Sequence, residues 1–320
     1  MKFENVIDLL RASDEQEKRR INYVLTEAEK NIIASSLQNS AQKPYENQKI
    51  SEYLSFLDDD KIFSTELEGA VRHFVTDGNK TGIFLIENLP TEPLKGEAKD
   101  GSLSELILLA MARSIGKPFG YASQRNGEVI QNLMPKRADA NKQLGTGSSV
   151  DLFWHTEDAH TNLNCDYIAL LCLRGDPEAA TLASCVSVDD LDPEMRHQLE
   201  QKDYIIHSDA SYKNKSQLET SVIGYEDGRL ILKYDPSFTE YKTKKAEEAL
   251  TYLTEYMDKH AVGVYLKAGD LLLIDNHCAV HARSKYRPRY DGNDRWLKRV
   301  GILTKNVPAQ DLAEPHVINL

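Results

Sequence analysis

The sequence predicts a mainly β or α+β protein with a barrel or jelly-roll core flanked by helices. Short apolar runs alternate with turn-forming residues through the last two thirds of the chain, charged helix-forming residues dominate 1–80, and one helical pattern interrupts the strands. Many short strands with Gly-rich turns are typical of barrels and jelly rolls. No Ser-, Gly- or Pro-rich linker divides the 320 residues. One domain, 1–320, is therefore predicted, with 1–80 as a helical packing region and 81–305 as the jelly-roll core.

The N-terminal region is predicted to form packing helices. Ile7, Leu9 and Leu10 lie among charged residues, and segments 50–57 and 67–75 continue the mixture of apolar and charged positions. Such spacing is typical of amphipathic helices. We expect these helices to pack around the core and to carry no chemistry.

The strand pattern begins at Gly82, where GIFLIENLP stops at a proline. A helix is predicted over Glu105–Ile115, and a second one, Thr243–His260, interrupts the later strands with apolar residues at helical spacing. The remaining short apolar runs are predicted to contain strands. They are 128–135, 150–157, 166–177, 204–212, 221–236, 261–275 and 295–304.

The composition is that of an acidic globular protein. Hydrophobic residues make up 41% of the chain and the formal net charge is −11. This balance argues against a broad nucleic-acid or anionic-membrane surface, although a few arginines can still hold a small anion. The four cysteines form no CxxC pair and the N-terminus has no long apolar run, so a cytoplasmic location is expected. A small molecule is the only partner predicted, and the oligomeric state is left open.

The sharpest local feature is the sequence WHTE at 154–157. Residues i and i+2 of a strand point to the same face, so His155 and Glu157 aim at one point. With a third ligand they would form the two-His-one-carboxylate triad of non-haem Fe(II) oxygenases. A three-residue pattern alone is more often a histidine beside a solvated acid, so the interpretation depends on a distant partner.

The candidate partner lies between residues 269 and 303, where two histidines are available. His277 and His281 are in phase on an extended strand, so periodicity cannot choose between them. Downstream, Arg295 and Arg299 fall on the same face of a predicted last strand. An arginine inside a barrel is unfavourable unless it meets an anion, and its planar fork matches a carboxylate. Two such arginines favour two bound carboxylates, one from a cosubstrate and one from a substrate, while pairing with acidic residues of the chain is the alternative.

An ordered set of motifs adds a family resemblance. HTED at 155–158, DYIALLCLRGDPEAAT at 166–181, LLIDNHCAVHAR at 272–283 and PRYDGNDRWLKR at 288–299 stand in this order. Together they resemble the clavaminate synthase-like branch of the Fe(II)/2-oxoglutarate oxygenases, and within it the hydroxylases of free L-arginine, L-lysine and L-asparagine. The resemblance covers roughly 119–303 and is faint in the N-terminal helices. It implies a double-stranded β-helix, the jelly roll of this family.

The resemblance implies roles for five residues at the metal and cosubstrate. His155, Glu157 and His281 match the iron ligands, His281 being preferred because the family's distal histidine follows the AV of this motif. Arg295 matches the arginine that holds the distal carboxylate of 2-oxoglutarate. Thr181 matches a threonine that supports the same carboxylate, with a shift of one or two residues left open.

Four further residues are candidates for substrate binding. Arg299 matches an arginine that binds the α-carboxylate of an amino-acid substrate. Asp235 falls near the first of two acids, spaced DxD, that contact a cationic side chain, and Ser237 replaces the second. Gln131 is a candidate for the substrate amine, or else a cross-strand partner. Ser148 lies just before the metal strand, where a turn role is the alternative, as it is for Asp235.

The resemblance implies a dioxygenase that uses Fe(II), 2-oxoglutarate and O2 to hydroxylate an unactivated C–H bond of a free L-amino acid, releasing succinate and CO2. Asp235 and the acidic chain favour L-lysine or L-arginine. A neutral polar or carrier-bound amino acid, of the asparagine or citrulline type, is the alternative. Two other classes are less favoured. Intact ligands together with Arg295 argue against a metal-binding jelly roll that has lost catalysis, and the inward arginines argue against a Zn(II) hydrolase, which does not need them.

Overall fold

Two β-sheets face each other at the centre of the molecule. The structure, a computed structural model, describes residues 22–37, 46, 50–57, 62–92 and 102–320. Within these ranges the larger sheet has nine strands and the smaller sheet four. Side chains from both sheets meet in one apolar cluster between them, which includes Ile168, Leu272 and Leu297 from the larger sheet and Ala183 and Ala279 from the smaller one.

The larger sheet is mostly antiparallel, with one parallel pair at one end and another next to the pair at the opposite end. Eight of its strands follow one another in the spatial order β1 (Asn22–Val24), β2 (Ile83–Glu87), β14 (Leu271–Asp275), β6 (Tyr167–Arg174), β16 (Trp296–Leu303), β3 (Lys117–Tyr121), β18 (Val317–Ile318) and β17 (Leu312–Glu314). The ninth strand, β4 (Gln131–Leu133), pairs with β16 beside β3.

The smaller sheet contains strands from the sequence motifs described above. Its order is β13 (Val262–Val264), β7 (Thr181–Cys185), β15 (Ala279–Arg283) and β5 (Leu152–His155). All its pairs are antiparallel, and the register of β15 against β5 places His281 directly opposite His155. The sheet therefore brings two distant parts of the chain to one point.

Helices cover the outer face of the larger sheet. They are α1 (Glu27–Leu37), α2 (Ile50–Phe56), α3 (Thr65–Asp77) and α4 (Ser102–Ile115). An apolar cluster joins them to the sheet and includes Leu67, Leu108, Leu171 and Val300. The helix α3 begins where the hydroxyl of Ser64 accepts a hydrogen bond from the backbone N–H of Leu67, which satisfies an otherwise free donor of its first turn.

An insertion between β7 and β13 packs on the outer face of the smaller sheet. Its elements are α5 (Pro193–Leu199), β8 (Tyr204–His207), β9 (Gln217–Thr220), β10 (Ile223–Glu226), β11 (Arg229–Leu232), β12 (Thr239–Tyr241) and α6 (Lys244–Lys259). The apolar face of α6, including Leu250 and Leu253, shares a third cluster with Trp154 and Val280. The Nε1 of Trp154 also donates to Asp258 at 2.7 Å, which ties β5 to α6.

The last long strand alternates as the sequence predicts. Trp296, Val300 and Ile302 of β16 belong to the cluster under the helices, whereas Leu297 and Leu303 belong to the cluster between the sheets. Neighbouring side chains of a strand point to opposite faces, so Arg299 faces the interior of the sandwich. Two facing sheets with flanking helices form the double-stranded β-helix, or jelly roll, that the sequence predicts.

The N-terminal region, predicted to be mostly helical, also contains one strand. Residues Asn22–Val24 form β1, which pairs in parallel with β2 and starts the larger sheet. Ile7, Leu9 and Leu10 lie outside the described residues. In the described ranges, no helix is both long and apolar enough to cross a membrane.

Candidate active site

Two histidines and one glutamate converge at the end of the smaller sheet. One ligand atom from each of His155, Glu157 and His281 lies within 4.8 Å of the other two. The two imidazole rings have centroids 4.1 Å apart, and His281 Nε2 is 3.6 Å from a carboxylate oxygen of Glu157. The cross-strand register creates this cluster, because it puts His155 opposite His281 and places Glu157 two residues further along.

Hydrogen bonds fix the side chain of His155 and the backbone of Glu157. The Nδ1 of His155 donates to the carbonyl of Phe153 at 2.7 Å, which leaves Nε2 as the free ring nitrogen. Asn276 accepts from the backbone N–H of Glu157 at 2.8 Å and donates to the carbonyls of Glu157 and Cys165. The turn between β14 and β15 therefore fixes the backbone of the glutamate, as outer partners commonly do for metal ligands.

The electrostatics favour a neutral imidazole at His155 and an ionised carboxylate at Glu157. Burial, followed by the neighbouring His281, lowers the pKa of His155 to about 3, so its imidazole is neutral at physiological pH. Burial acts to raise the pKa of Glu157, but the Arg299 guanidinium and the two histidines hold it well below its usual range. Two imidazoles and one carboxylate are the donor set of non-haem Fe(II), so these residues fit that ion.

The structure chooses between the two histidines that periodicity left open. His277 lies in the turn before β15, where its ring nitrogens contact Asp166 at 3.1 Å and Asp275 at 2.9 Å. Both of its nitrogens are thus engaged away from the cluster. His281, not His277, joins His155 and Glu157.

Arg295 and Thr181 meet inside the sandwich. The guanidinium Nη2 of Arg295 donates to the hydroxyl of Thr181 at 3.1 Å, and both residues are buried. No carboxylate of the described residues lies within ion-pair distance of Arg295. A buried guanidinium without an anionic partner is unfavourable, so the arrangement favours an anion brought by a ligand.

Arg299 forms an ion pair with an acidic residue of the chain. The sequence left this open as the alternative to binding the carboxylate of a ligand. Its Nη1 lies 2.5 Å from Glu157 Oε2, and its Nη2 donates to Gln131 at 2.6 Å. Gln131 in turn donates to Gln124 at 2.8 Å. The bridge of β16 to β4 therefore holds Arg299 against the triad.

A cavity opens in front of the triad, and Asp235 and Ser237 line it together with Arg299. Asp235 also accepts from the backbone N–H of Ser237, the turn role that was its alternative. Among the candidates for substrate binding, Gln131 and Ser148 are not part of the lining, although Gln131 contacts Arg299. Ser148 lies away from the cavity. It is fully buried in the loop before β5, with its hydroxyl 3.3 Å from that of Tyr290.

The sequence did not single out several residues of the cavity. Arg125, Asp158, Asp209 and Tyr212 all line it. Asp209 and Tyr212 belong to the β8–β9 loop (residues 208–216). The sequence of this loop has no periodic pattern that would predict its position beside the triad. Asp158 has a positive φ of 56°, and the Tyr212 hydroxyl donates to its carboxylate. Only the position of Asp158 directly after Glu157 could have suggested it.

Burial raises the pKa of the cavity acids. The pKa of Asp158 rises to about 7, with Glu157 as the second cause after burial. The pKa of Asp235 lies well above its ordinary value because of burial and then Asp209, and burial also raises the pKa of Asp209. Asp209 and Asp235 form no ion pair with a described residue. A cationic ligand would stabilise the ionised form of these two buried carboxyl groups.

Comparisons with known proteins agree with this geometry. Residues 63–300 match the family model described as taurine catabolism dioxygenase TauD, TfdA family. Enduracididine beta-hydroxylase of Streptomyces hygroscopicus is 27% identical over 83% of this chain and 92% of its own. L-asparagine oxygenase of Streptomyces coelicolor is 31% identical over 72% of this chain and 74% of its own.

Solved structures extend the likeness to nearly the whole chain. The non-heme iron oxygenase OrfP in complex with Fe and alpha-ketoglutaric acid is 27% identical, with a TM-score of 0.79 over 93% of this chain and 99% of OrfP. The same protein in complex with Fe, succinate and (3S)-hydroxy-L-Arg is 25% identical, with a TM-score of 0.80 over the same shares. The likeness therefore spans both sheets, the helices and the insertion.

Proposed function

This chain belongs to the TauD/TfdA family of dioxygenases, and from this premise we propose that it hydroxylates an unactivated C–H bond of a free L-amino acid. The observation that carries the proposal is the convergence of His155, Glu157 and His281, whose ligand atoms lie within 4.8 Å of one another. The whole chain would act as one domain, in the cytoplasm.

Two neighbouring groups of residues would bind the metal ion and the cosubstrate. His155, Glu157 and His281 would hold Fe(II), and Arg295 with Thr181 would hold the distal carboxylate of 2-oxoglutarate. The bound pair supplies the chemistry that inserts one oxygen atom of O2 into a C–H bond and releases succinate and CO2. The same type of ligand occurs in the relative solved with Fe and alpha-ketoglutaric acid, which supports this assignment.

The protein's own contribution would be the position of the substrate. Arg299 would hold the α-carboxylate, while Gln131, which it contacts at 2.6 Å, would accept a hydrogen bond from the amine. The β8–β9 loop would cover the cavity and exclude water. Fixing which C–H bond faces the metal decides the product, because a reacting atom must lie at a defined distance and angle.

A basic amino acid, L-arginine or L-lysine, is the substrate that the charges of the cavity favour. Asp209 lies near enough to raise the pKa of the Asp235 carboxyl group, and neither acid has a cationic partner among the described residues. Ser237 stands where a second acid of the motif would be, and Asp209 supplies a carboxylate from the β8–β9 loop instead. The relative solved with (3S)-hydroxy-L-Arg supports this class.

A neutral polar amino acid is the second candidate. Ser237 offers a neutral hydrogen-bonding group beside Asp235, and the relative named L-asparagine oxygenase supports it. A carrier-bound amino acid, a binding protein without catalysis and a Zn(II) hydrolase are the outcomes that the experiment below separates.

The test is succinate formation with Fe(II), 2-oxoglutarate and ascorbate across the free L-amino acids, with the product mass recorded. The proposal expects L-arginine or L-lysine to give succinate together with a product one oxygen atom heavier. A heavier product from L-asparagine alone would instead favour the neutral class. Succinate above background with no amino acid modified would point to carrier-bound substrates, and no succinate from metal-loaded protein would contradict the oxygenase assignment.

His277, four residues before His281, provides a matched control for the metal assignment. His281→Ala should lower Fe(II) affinity at least about 100-fold, because one of three ligands is lost. His277→Gln should retain Fe(II) binding, since the ring of His277 contacts Asp166 and Asp275 instead. Equilibrium titration of the two folded variants with Fe(II) under anaerobic conditions measures this directly. Equal loss in both variants would contradict the proposed ligand set.

A further inference from the structure

We infer that Arg125 is a second carboxylate-binding residue, which together with Arg299 takes the free α-carboxylate of the substrate. The inference rests on the proposed function, because it specifies one end of the same cavity. It also narrows the substrate class to amino acids whose carboxylate is free, and it excludes amino acids bound to a carrier through that group.

The first observation is where the Arg125 side chain is anchored. Its Nη1 donates to the backbone carbonyl of Asn132 at 3.1 Å. Arg299 is held at the adjacent position of β4, where its Nη2 donates to Gln131. Both arginines line the cavity, together with His155 and Glu157 of the triad. Two guanidinium groups are therefore fixed by neighbouring residues of one strand.

The second observation is that Arg125 forms no direct ion pair with a described residue. Its Nε is buried without a hydrogen-bond partner, and no acid of the described residues lies within ion-pair distance of its guanidinium. Burial and then the like charge of Arg299 lower the pKa of Arg125, which places the two cations near each other. Two close, partly desolvated cations repel, and an anion between them would relieve that repulsion.

The third observation is the backbone that carries Arg125. Arg125, Asn126 and Gly127 have φ values of 47°, 60° and 76°. Only the last is a glycine, so two residues with side chains occupy a region that L-amino acids adopt rarely. Such strain collects at functional sites, where surrounding contacts maintain it. One such contact comes from the β8–β9 loop, where the Nζ of Lys213 donates to the side chain of Asn126 at 2.6 Å.

A carboxylate is the anion that fits two guanidinium groups. Each arginine presents a planar fork of donors that matches its two oxygens. Asp209 and Asp235 also line the cavity and form no ion pair with a described residue, so they suit the cationic part of an amino acid. The arginines are thus assigned to the α-carboxylate and the acids to the side chain.

The test compares a free amino acid with its carboxamide in the wild type and in Arg125→Gln. The probe is the amino acid of the panel above that yields most succinate, which for a basic substrate means L-arginine with L-argininamide or L-lysine with L-lysinamide. The KM of the acid is measured, and the KM of the amide or, without turnover, its Ki against the acid. Arg137→Gln is the matched control, since this exposed arginine stacks on Tyr290 at 4.2 Å outside the cavity.

The inference expects Arg125→Gln to raise the KM of the free acid roughly 10- to 100-fold, as is typical for loss of a charged hydrogen bond. The constant for the amide should change less than about 3-fold, and the KM for the cosubstrate should stay unchanged. Arg125→Lys should recover part of the affinity for the acid. Arg137→Gln should behave as wild type.

Two results would overturn the inference. One is a KM of the acid in Arg125→Gln that stays within about twice the wild-type value, far below the expected loss of a charged hydrogen bond. The other is an equal rise for acid and amide, which would show that Arg125 acts on the shape of the cavity and not on the carboxylate. Both results are obtained with wild-type turnover intact, so they differ from failure of the proposed function, in which the wild type itself gives no succinate with any amino acid.

Discussion

A buried histidine serves a metal or the fold according to what its two ring nitrogens face. His281 lies beside the carboxylate of Glu157 and the ring of His155, whereas His277 lies between Asp166 and Asp275. The sequence places both on the same face of an extended segment, so their spacing alone cannot distinguish them. The turn that separates them, Asp275 to Cys278, decides the outcome by reversing the chain before β15.

His277 should make stability depend on pH. Although burial acts against it, contacts with Asp166 and Asp275 raise the pKa of His277 above its ordinary value. A raised pKa stabilises the fold fully below the unfolded-state value, about 6.5, and this contribution is lost as pH rises through the folded-state value. His277→Gln should therefore lower the free energy of unfolding by about 1–3 kcal/mol at a pH of about 5.5 and by clearly less at a pH of about 8.5.

Urea unfolding of wild type and variant at the two pH values measures this difference. His73→Gln is the control, because His73 forms its contact with Asp77 on an exposed helix surface. Its effect should stay below about 0.5 kcal/mol at both pH values. A loss in His277→Gln that grows from the lower to the higher pH would contradict the assigned charge state.

Other residues show why part of the site could not be predicted. His155 and Glu157 follow from strand period, and Arg299 follows from the alternation of β16. Arg125 has no such signal, since three consecutive positive φ values depend on contacts elsewhere and only Gly127 hints at them. Asp209 lies in the insertion, far along the chain from the triad residues, so only the folded chain brings it there.

At the scale of elements, predictions succeed where the residues of one segment themselves favour its structure. The helix predicted over Thr243–His260 is α6, and the hydroxyl of Thr243 accepts from the backbone N–H of Ala246 at its start. The strand β1 lacks such information. Its three residues, Asn22–Val24, become a strand only by pairing with β2, whose residues come much later in the chain.

The β8–β9 loop should control access to the cavity through Tyr212. The Tyr212 hydroxyl donates to Asp158, and its ring packs edge-on against His160 with centroids 4.4 Å apart. Tyr212→Phe keeps the ring and removes the hydrogen bond, so the loop should open more often. We expect a several-fold higher KM for the amino acid and faster amide exchange in 208–216, with a stability loss of only about 1 kcal/mol.

Hydrogen exchange followed by mass spectrometry resolves the loop from the rest of the chain. Tyr225→Phe is a suitable control, because Tyr225 is half exposed on β10 and does not line the cavity. Unchanged exchange in 208–216 of Tyr212→Phe would show that other contacts alone hold the loop closed.

At the scale of the molecule, one buried ion pair links the helical layer to the larger sheet. Lys298 of β16 lies 2.5 Å from Glu105 of α4, and its Nζ also donates to Asn132 of β4 at 3.3 Å. The lysine side chain is only 2% exposed. Breaking such a pair leaves an uncompensated charge in the interior, which is far more unfavourable than losing a surface pair.

Lys298→Met should therefore lower the free energy of unfolding by about 3–5 kcal/mol. The double variant Glu105→Leu with Lys298→Met should recover much of that loss, because no charge then stays buried. Lys305→Met, which removes the more exposed pair with Glu226, should cost less than about 1 kcal/mol. Chemical denaturation of the wild type and these variants, with Glu105→Leu alone, provides the comparison, and additive losses in the double variant would contradict a direct coupling.

The order of the strands has a consequence for synthesis of the chain. The late strands β14, β15 and β16 each lie between two earlier partners, β14 and β16 in the larger sheet and β15 in the smaller one. A chain emerging from the ribosome can complete neither sheet until these residues have left the exit tunnel, and domains form as units once their contacts are available. A nascent chain that stops before residue 281 carries His155 and Glu157 but lacks the third member of the triad. The site for oxidative chemistry therefore cannot form until β15 has been synthesised.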